Sequence, residues 1–83
     1  MYLHVGNRKN IREKDIIGIF DTDSATVSPV TRRYLSAKEK EGLVESASYE
    51  IPKSFVLYAD KQGKKRICFS QLSPTALLGR VEW

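Results

Sequence analysis

Residues 15–21 read Asp15-Ile16-Ile17-Gly18-Ile19-Phe20-Asp21, a nearly continuous apolar run between two acidic residues. A strand with one face in water alternates apolar and polar residues, and this run does not. The sequence therefore predicts a strand from Ile11 to about Asp21 that is covered on both faces, either by helices or by another subunit. The polar segment that follows, Asp21-Thr22-Asp23-Ser24, predicts a turn.

A helix is predicted next, because Ser28-Pro29 is a typical helix start. Serine can accept a hydrogen bond from a free backbone N–H, and proline at the first helical position has no N–H to leave unpaired. The helix runs from Pro29 to about Glu41 and stops at Gly42. Helical spacing predicts a buried stripe of Val30, Tyr34 and Ala37. The outward side gathers, within about 100° of one another, Arg32, Arg33, Ser36 and Lys40.

The remaining elements are short. Residues 2–5 form an opening strand, and residues 55–59 and 67–69 form a β-hairpin joined through Asp60-Lys61-Gln62-Gly63-Lys64. Ser73-Pro74 repeats the helix-start signal and begins a final helix carrying Ala76, Leu77, Leu78 and Val81. The predicted fold class is α+β, a small single domain over residues 1–83 in the order ββ-α-ββ-α, with a mostly antiparallel sheet and two helices.

The composition of the chain argues against membrane-spanning and secreted classes of protein. The chain has 83 residues, is 41% hydrophobic and carries a net charge of +4. Its longest apolar stretches are far shorter than the ~18 residues of a membrane span, so no membrane association is expected. The N-terminus shows no basic region ahead of an apolar one, and Cys68 is the sole cysteine. A reducing, cytoplasmic setting is therefore expected.

No set of residues indicates catalysis or a cofactor. His4 alternates with Leu3 and Val5 in the first strand, where a partly buried or surface role is favoured over that of a general base. Cys68 lies in a predicted inner strand and reads as a packed thiol. Asp21 and Asp23 have calcium-loop spacing without the glycine and later glutamate that such loops need. The chain is predicted to be neither an enzyme nor a metal or cofactor protein.

The cations cluster, and clustering is what favours a nucleic-acid partner. Groups lie in the first turn, on the helix face, before a strand and at the hairpin tip, and each could neutralise phosphates. They could equally be solubilising charges that blunt exposed strand edges. Tyr49, Tyr58 and Trp83 could stack on bases, although packing is favoured for each. The cations are Arg8, Lys9, Arg12, Lys14, Arg32, Arg33, Lys40, Lys53, Lys61, Lys64, Lys65 and Arg66.

Self-association is also expected, since so small a chain would struggle to cover several unbroken apolar strands. An assembly of identical units would multiply a weak phosphate contact into useful avidity.

Short stretches along nearly the whole chain match one family in order and spacing. They are Met1-Tyr2-Leu3-His4-Val5-Gly6, the block of residues 15–21, Pro52-Lys53-Ser54 before an apolar strand, and Ser70-Gln71-Leu72-Ser73-Pro74-Thr75-Ala76-Leu77. Together they resemble the RemA/RemB-like family of extracellular matrix regulatory proteins, and its RemB-like members in particular.

The resemblance implies a DNA-binding transcriptional regulator of matrix operons, whose partners are double-stranded DNA and further copies of itself in a ring. Pro29 and Arg32 match a proline and an arginine three residues later in RemA-like members. The adjacent arginine pair of those members is absent here, where Ile51-Pro52 stand, as in RemB-like members. Only Lys53 remains nearby, and the basic hairpin tip is not a RemB-like feature.

The sequence is therefore consistent with two functions. The first is an oligomeric DNA-binding regulator that contacts phosphates and recognises DNA shape. The alternative is a protein-interaction module that assembles with itself or a regulator and does not contact DNA. The residues predicted to bind nucleic acid in the first case are Arg32, Arg33, Lys40, Lys53, Lys64, Lys65 and Arg66.

Overall fold

The computed structural model describes residues 2–6, 9–47 and 50–80. The described residues form six strands: β1 (Tyr2–Gly6), β2 (Lys9–Arg12), β3 (Ile16–Asp21), β4 (Val44–Ser46), β5 (Ser54–Ala59) and β6 (Lys65–Ser70). They also form three α-helices: α1 (Thr22–Ala25), α2 (Pro29–Lys40) and α3 (Pro74–Leu78). A single 3-10 turn at Glu13–Asp15 joins β2 to β3.

The strands make two sheets. β1 and β2 form an antiparallel hairpin, and the larger sheet has the order β3-β5-β6-β4. β5 pairs antiparallel with β3 and with β6, whereas β4 runs parallel to β6. The predicted α+β class and mostly antiparallel pairing are consistent with this arrangement. The predicted hairpin and the final helix are also present.

The predicted order of elements was wrong at three places, one of which is β4, a strand between α2 and the hairpin where none was predicted. The single strand predicted from Ile11 to Asp21 is divided into β2 and β3, because the charged Glu13–Asp15 segment turns the chain between the two sheets. The turn predicted after Asp21 is the short helix α1. An Asp21 carboxylate oxygen accepts hydrogen bonds from the backbone N–H of Asp23 and Ser24, at 2.8 and 3.2 Å, and so caps that helix.

The core lies on one face of the larger sheet. Val56, Tyr58 and Cys68 from that sheet pack against Leu3, Val5 and Ile11 of the β1–β2 hairpin and against Leu77 of α3. Two buried serines tie these layers together. Ser70 donates a hydrogen bond to the Val5 carbonyl at 2.5 Å, and Ser54 donates one to the Leu72 carbonyl at 2.7 Å.

Helix α2 covers the other face, over β4 and β6. It begins and ends close to where the sequence predicts, and Gly42 follows with a φ of 74° that favours glycine. Ser28 stands at the N-cap without a side-chain capping bond, whereas Ser73 caps α3 by accepting from the Ala76 N–H at 3.1 Å.

The predicted buried stripe of α2 was wrong. Val30, Tyr34 and Ala37 are all exposed, and the partly buried side chains are Thr31, Leu35 and Lys38. At about 100° per residue, these two rows lie roughly a quarter turn apart around the helix. The helix therefore faces the sheet with the partly polar row of Thr31, Leu35 and Lys38. Its apolar row of Val30, Tyr34 and Ala37 lies at the side of the helix.

No helix in the described ranges is long and apolar enough to cross a membrane. The predictions for Arg8, Tyr49, Val81 and Trp83 lie outside the described residues.

Candidate nucleic-acid interface

Helix α2 runs along the sheet from the start of β5 towards its end. Val30 and Thr31 lie beside Phe55 at the start of β5, and Lys38 lies beside the turn that joins β5 to β6. Twelve helical residues span about 18 Å, close to the length of a six-residue strand. The outer face of α2 and the β5–β6 turn therefore form one continuous surface.

Two predicted cations on this outer face are free. Arg33 and Lys40 are exposed and form no ion pair within the described part of the chain. Since Thr31, Leu35 and Lys38 face the sheet, Arg33 and Lys40 point directly away from it. They lie about 10 Å apart along the helix axis, which is seven residues at 1.5 Å each.

Arg32 is engaged by its own backbone. Its Nη1 donates hydrogen bonds to the carbonyl oxygens of Thr26 and Val27, at 2.8 and 3.1 Å, and so braces the connection between α1 and α2. The guanidinium keeps other donors. Its position is nevertheless fixed by the loop, which makes Arg32 a structural residue at the head of α2.

A cleft of about 540 Å³ separates the end of α2 from the β5–β6 turn. Lys64 and Lys65 line it from the turn, and Lys38 lines it from the helix beside Glu41. The Lys38 ammonium lies 3.5 Å from the Glu41 carboxylate. Three cations and one carboxylate leave a net charge of about +2 in the cleft at neutral pH. Lys38 was missed from sequence, because helical spacing alone placed the sheet-facing side of α2 a quarter turn away.

Arg66 does not join the other cations of the hairpin. Its Nε lies 2.7 Å from a carboxylate oxygen of Asp60, which holds the pKa of Arg66 above and that of Asp60 below their ordinary values. Arg66 also pairs across the strands with Tyr58, which packs in the core on the other face. The predicted cluster of Lys64, Lys65 and Arg66 is thus divided between two surfaces.

Lys53 lies just before β5, at the end of the sheet where α2 begins. Its side chain is exposed, and its backbone is held by bonds to Ser70 and Thr22. The length of β5 places it about 20 Å from the hairpin tip. Lys53 therefore lies at the opposite end of the surface from Lys64 and Lys65.

A second polar cluster lies on the core side, and it is structural. The Lys9 ammonium is 2.8 Å from a Glu45 carboxylate oxygen, which also accepts a hydrogen bond from the Tyr58 hydroxyl. Burial, together with Glu45, raises the pKa of Tyr58 to about 12. Partial burial opposes the charge on Lys9, but its bonds to Glu45 and Tyr58 raise its pKa on balance. This network ties β2 to the larger sheet.

The residues considered for catalysis are placed as the sequence predicts. Cys68 is fully buried, and burial raises the pKa of its thiol to about 12. His4 is exposed in β1, with its Nδ1 3.0 Å from the Asn10 side-chain oxygen. Within residues 2–6, 9–47 and 50–80, no three His, Cys, Asp or Glu side chains are grouped so that they could hold a metal ion.

No family model matches the chain. Among curated proteins, the extracellular matrix regulatory protein B of Bacillus subtilis (strain 168) is 34% identical over 83 residues, which are the whole of this chain and 93% of the relative. The chain belongs to the extracellular matrix regulatory protein B family. The resemblance found in the sequence is thereby confirmed.

For this member of the family, five of the seven predicted residues are exposed cations that form no ion pair with any residue the structure describes. Arg32 and Arg66 are engaged internally, and Lys38 adds a partly neutralised cation at the cleft. We refer to the five as the cation track: Arg33, Lys40, Lys53, Lys64 and Lys65.

Proposed function

We propose that this protein is a non-enzymatic, self-assembling DNA-binding regulator of the cytoplasm that acts on extracellular-matrix expression. The name of its relative, an extracellular matrix regulatory protein, supports the regulatory role. The observation that carries DNA binding is the cation track, whose exposed cations run from Lys53 to Lys64 and Lys65 and form no ion pair within residues 2–6, 9–47 and 50–80. Duplex DNA carries one negative charge per about 1.7 Å of its axis, so a track of about 20 Å runs along a length of duplex that holds roughly twelve phosphates on its two strands.

The contacts we assign are to phosphates. Helix α2 contains no Asn or Gln, the side chains that read adenine, and its outward side presents Arg33, Ser36 and Lys40. Lysine binds phosphate as a point charge and carries little sequence information. Sequence preference would then come from the shape and bending of the DNA.

This proposal predicts a steep salt dependence that single neutral substitutions reduce. Five phosphate contacts per chain give a slope of log K against log salt of at most about −4.5, and removing one contact changes it by about 0.9. We expect Arg33→Gln to lower the affinity for a mixed-sequence duplex and to reduce the slope by about one. Fluorescence anisotropy across a potassium chloride series measures both.

Lys14→Gln is the matched control. It removes one exposed cation from the turn before β3, at the sheet edge opposite the part that α2 covers. Its slope should match that of the unaltered protein. Absence of binding at low salt, or an affinity that does not change across the salt series, would refute DNA binding by the cation track.

A protein-interaction module remains the second candidate, and the internal engagement of Arg32 and Arg66 together with the exposed apolar row of α2 favours it. Arg33→Glu separates the two functions, because Arg33 braces nothing in the described chain. A DNA-binding regulator would lose DNA retention and keep its assembly. An interaction module would show no DNA retention in either form.

A further inference from the structure

A polar cleft on the core side of the sheet is separate from the cation track. It has a volume of about 410 Å³ and lies between β2 and the ends of β5 and β6 that meet at the hairpin turn. Residues 9–12 line one wall, and residues 58–61 line the other. Cavities that bind small molecules have volumes of about 300–1,000 Å³, so the cleft has room for one.

The carboxylates of this cleft are occupied by partners within the chain. Glu45 is held in the network with the β2 lysine and the β5 tyrosine. One Asp60 oxygen accepts hydrogen bonds from two backbone N–H groups of its own turn, and the other binds the Arg66 Nε. Asp15 lies 3.1 Å from the Arg12 Nε. Because the carboxylates already have donors, what the cleft offers a ligand is mainly N–H groups.

The two arginines of the cleft retain donors that these ion pairs do not use. A guanidinium carries five N–H groups in a planar fork, and the pairs with Asp15 and Asp60 are made through the Nε. The Nη groups of Arg12 and Arg66 therefore lie outside these pairs. The carboxylates also fix the planes of both guanidinium groups. Donors held in this way lose little conformational freedom when an anion binds to them.

The balance of charge in the cleft favours an anion. Lys61 is exposed and forms no ion pair within the described part of the chain. Four cations and three carboxylates line the cleft, which leaves a net charge of about +1 at neutral pH. Two guanidinium groups and an ammonium offer more N–H groups than the two oxygens of a carboxylate can accept. A phosphomonoester matches them better, since it has three terminal oxygens and a charge of about −2.

A tyrosine stands beside each arginine of the cleft. Tyr2 is directly opposite Arg12 in the pairing of β1 with β2. Tyr58 is directly opposite Arg66 in the pairing of β5 with β6. Side chains at opposite positions project to the same face, about 5 Å apart. Tyr58 is buried, whereas Tyr2 is 65% exposed, so its ring is a free surface at the mouth of the cleft on which a planar ring can stack.

We propose that this cleft binds a small phosphomonoester that carries a planar ring, such as a nucleoside 5′-monophosphate. The phosphate accepts hydrogen bonds from the Nη groups of Arg12 and Arg66, and Lys61 neutralises it further. The ring stacks on Tyr2. This ligand goes beyond the proposed DNA binding, because none of the cleft-lining residues that the structure describes belongs to the cation track, and α2 lies on the other face of the sheet.

Isothermal titration calorimetry of the full chain measures the binding of adenosine 5′-monophosphate and uridine 5′-monophosphate. At low salt we expect at least one of them to bind, with one molecule per chain. Adenosine and uridine lack the phosphate and should not bind detectably. Ribose 5-phosphate lacks the ring and should bind about fivefold more weakly than the nucleotide, which is the loss expected for one stacking contact. Tyr2→Ser should show the same loss with the complete nucleotide.

Two neutral substitutions test the phosphate contacts. Arg12→Gln and Lys61→Gln should each weaken nucleotide binding about tenfold, the loss expected for one charge-assisted hydrogen bond. Lys61 is exposed in the turn, so its variant keeps the fold even where the loss of Arg12 disturbs the connection from β2 to β3. Lys40→Gln is the matched control. It removes an exposed cation of the cation track and should bind the nucleotide as the unaltered protein does.

Failure of both nucleotides to bind at millimolar concentration would overturn the proposal. Unchanged binding by both Arg12→Gln and Lys61→Gln, or equal binding of nucleoside and nucleotide, would do the same. A mixed-sequence duplex that displaces the nucleotide would place the cleft in the DNA-binding surface and so contradict a separate site. The salt slope of Arg33→Gln tests DNA binding independently of these results.

Discussion

The network of Lys9, Glu45 and Tyr58 joins the β1–β2 hairpin to the larger sheet through one carboxylate. The stability of the folded protein should therefore decrease at alkaline pH. The folded pKa of Tyr58 is raised from 10.0 to about 12, so the contribution of its neutral form is present below pH 10 and is lost as pH rises to about 12. Lys9 also has a raised pKa, and its contribution is lost in the same direction.

We therefore expect unfolding to begin between these two pKa values and to coincide with ionisation of Tyr58. Phenolate absorbance, followed together with circular dichroism across an alkaline titration, measures both events. Glu45→Gln should lower the pH at which they occur, whereas Glu41→Gln, at an exposed carboxylate just after α2, should not. Smooth ionisation of every tyrosine in a still folded protein would contradict this role.

The sequence predicts the chemical role of a side chain better than it predicts which groups that side chain contacts. Cys68 as a packed thiol and His4 as a strand residue followed from their apolar and alternating neighbours. The engagement of Arg32 could not be foreseen, because its acceptors are backbone carbonyls placed by a helix that the sequence indicated as a turn. Arg66 is paired because Asp60, at the start of the hairpin turn, lies beside it in the folded chain.

The β5–β6 turn provides a test at the scale of an element. A carboxylate oxygen of Asp60 accepts hydrogen bonds from the backbone N–H of Gln62 and Lys64, both at 2.9 Å, while the other binds Arg66. Asn in its place keeps an acceptor for the two amides and loses the charge that holds Arg66. Because Arg66 lies on the core side of the sheet, away from the cation track, we expect Asp60→Asn to change the salt slope no more than the loss of a carboxylate elsewhere does.

Asp23→Asn controls for net charge, since it removes an exposed carboxylate from α1. Anisotropy with the same duplex and salt series should show the same small gain for both variants. A larger gain for Asp60→Asn, with a slope steeper by about one, would mean that Arg66 belongs to the DNA-binding surface and would contradict this division.

The bounds of elements that begin and end at strong local signals could be predicted from the sequence. The side that each element buries could not. Ser28-Pro29, Gly42 and the hairpin turn act within a few residues, so the bounds of α2 and β5–β6 were close. The buried side of α2 depends on which half of the sheet it covers. Likewise, the long strand predicted from Ile11 to about Asp21 contains a turn at Glu13–Asp15, where the chain passes from one sheet to the other.

At the scale of the whole molecule, the cations of the track come from several elements. Two of them, Arg33 and Lys40, lie on the outer face of α2, while Lys53 lies before β5 and Lys64 and Lys65 lie at the hairpin tip. The sequence alone predicted that assembly would be needed to multiply weak phosphate contacts, whereas the fold already brings these five cations to one side of a single chain. Assembly of identical copies, as proposed, would multiply the contacts with one duplex further.

The most direct test of DNA binding by assembled copies is the molar mass of the protein with and without a mixed-sequence duplex. The single chain has a mass of 9.5 kDa. At low salt we expect a complex that contains the duplex and at least two chains, and that dissociates as salt rises. A protein that remains at the mass of one chain, with the duplex unbound beside it, would contradict the account.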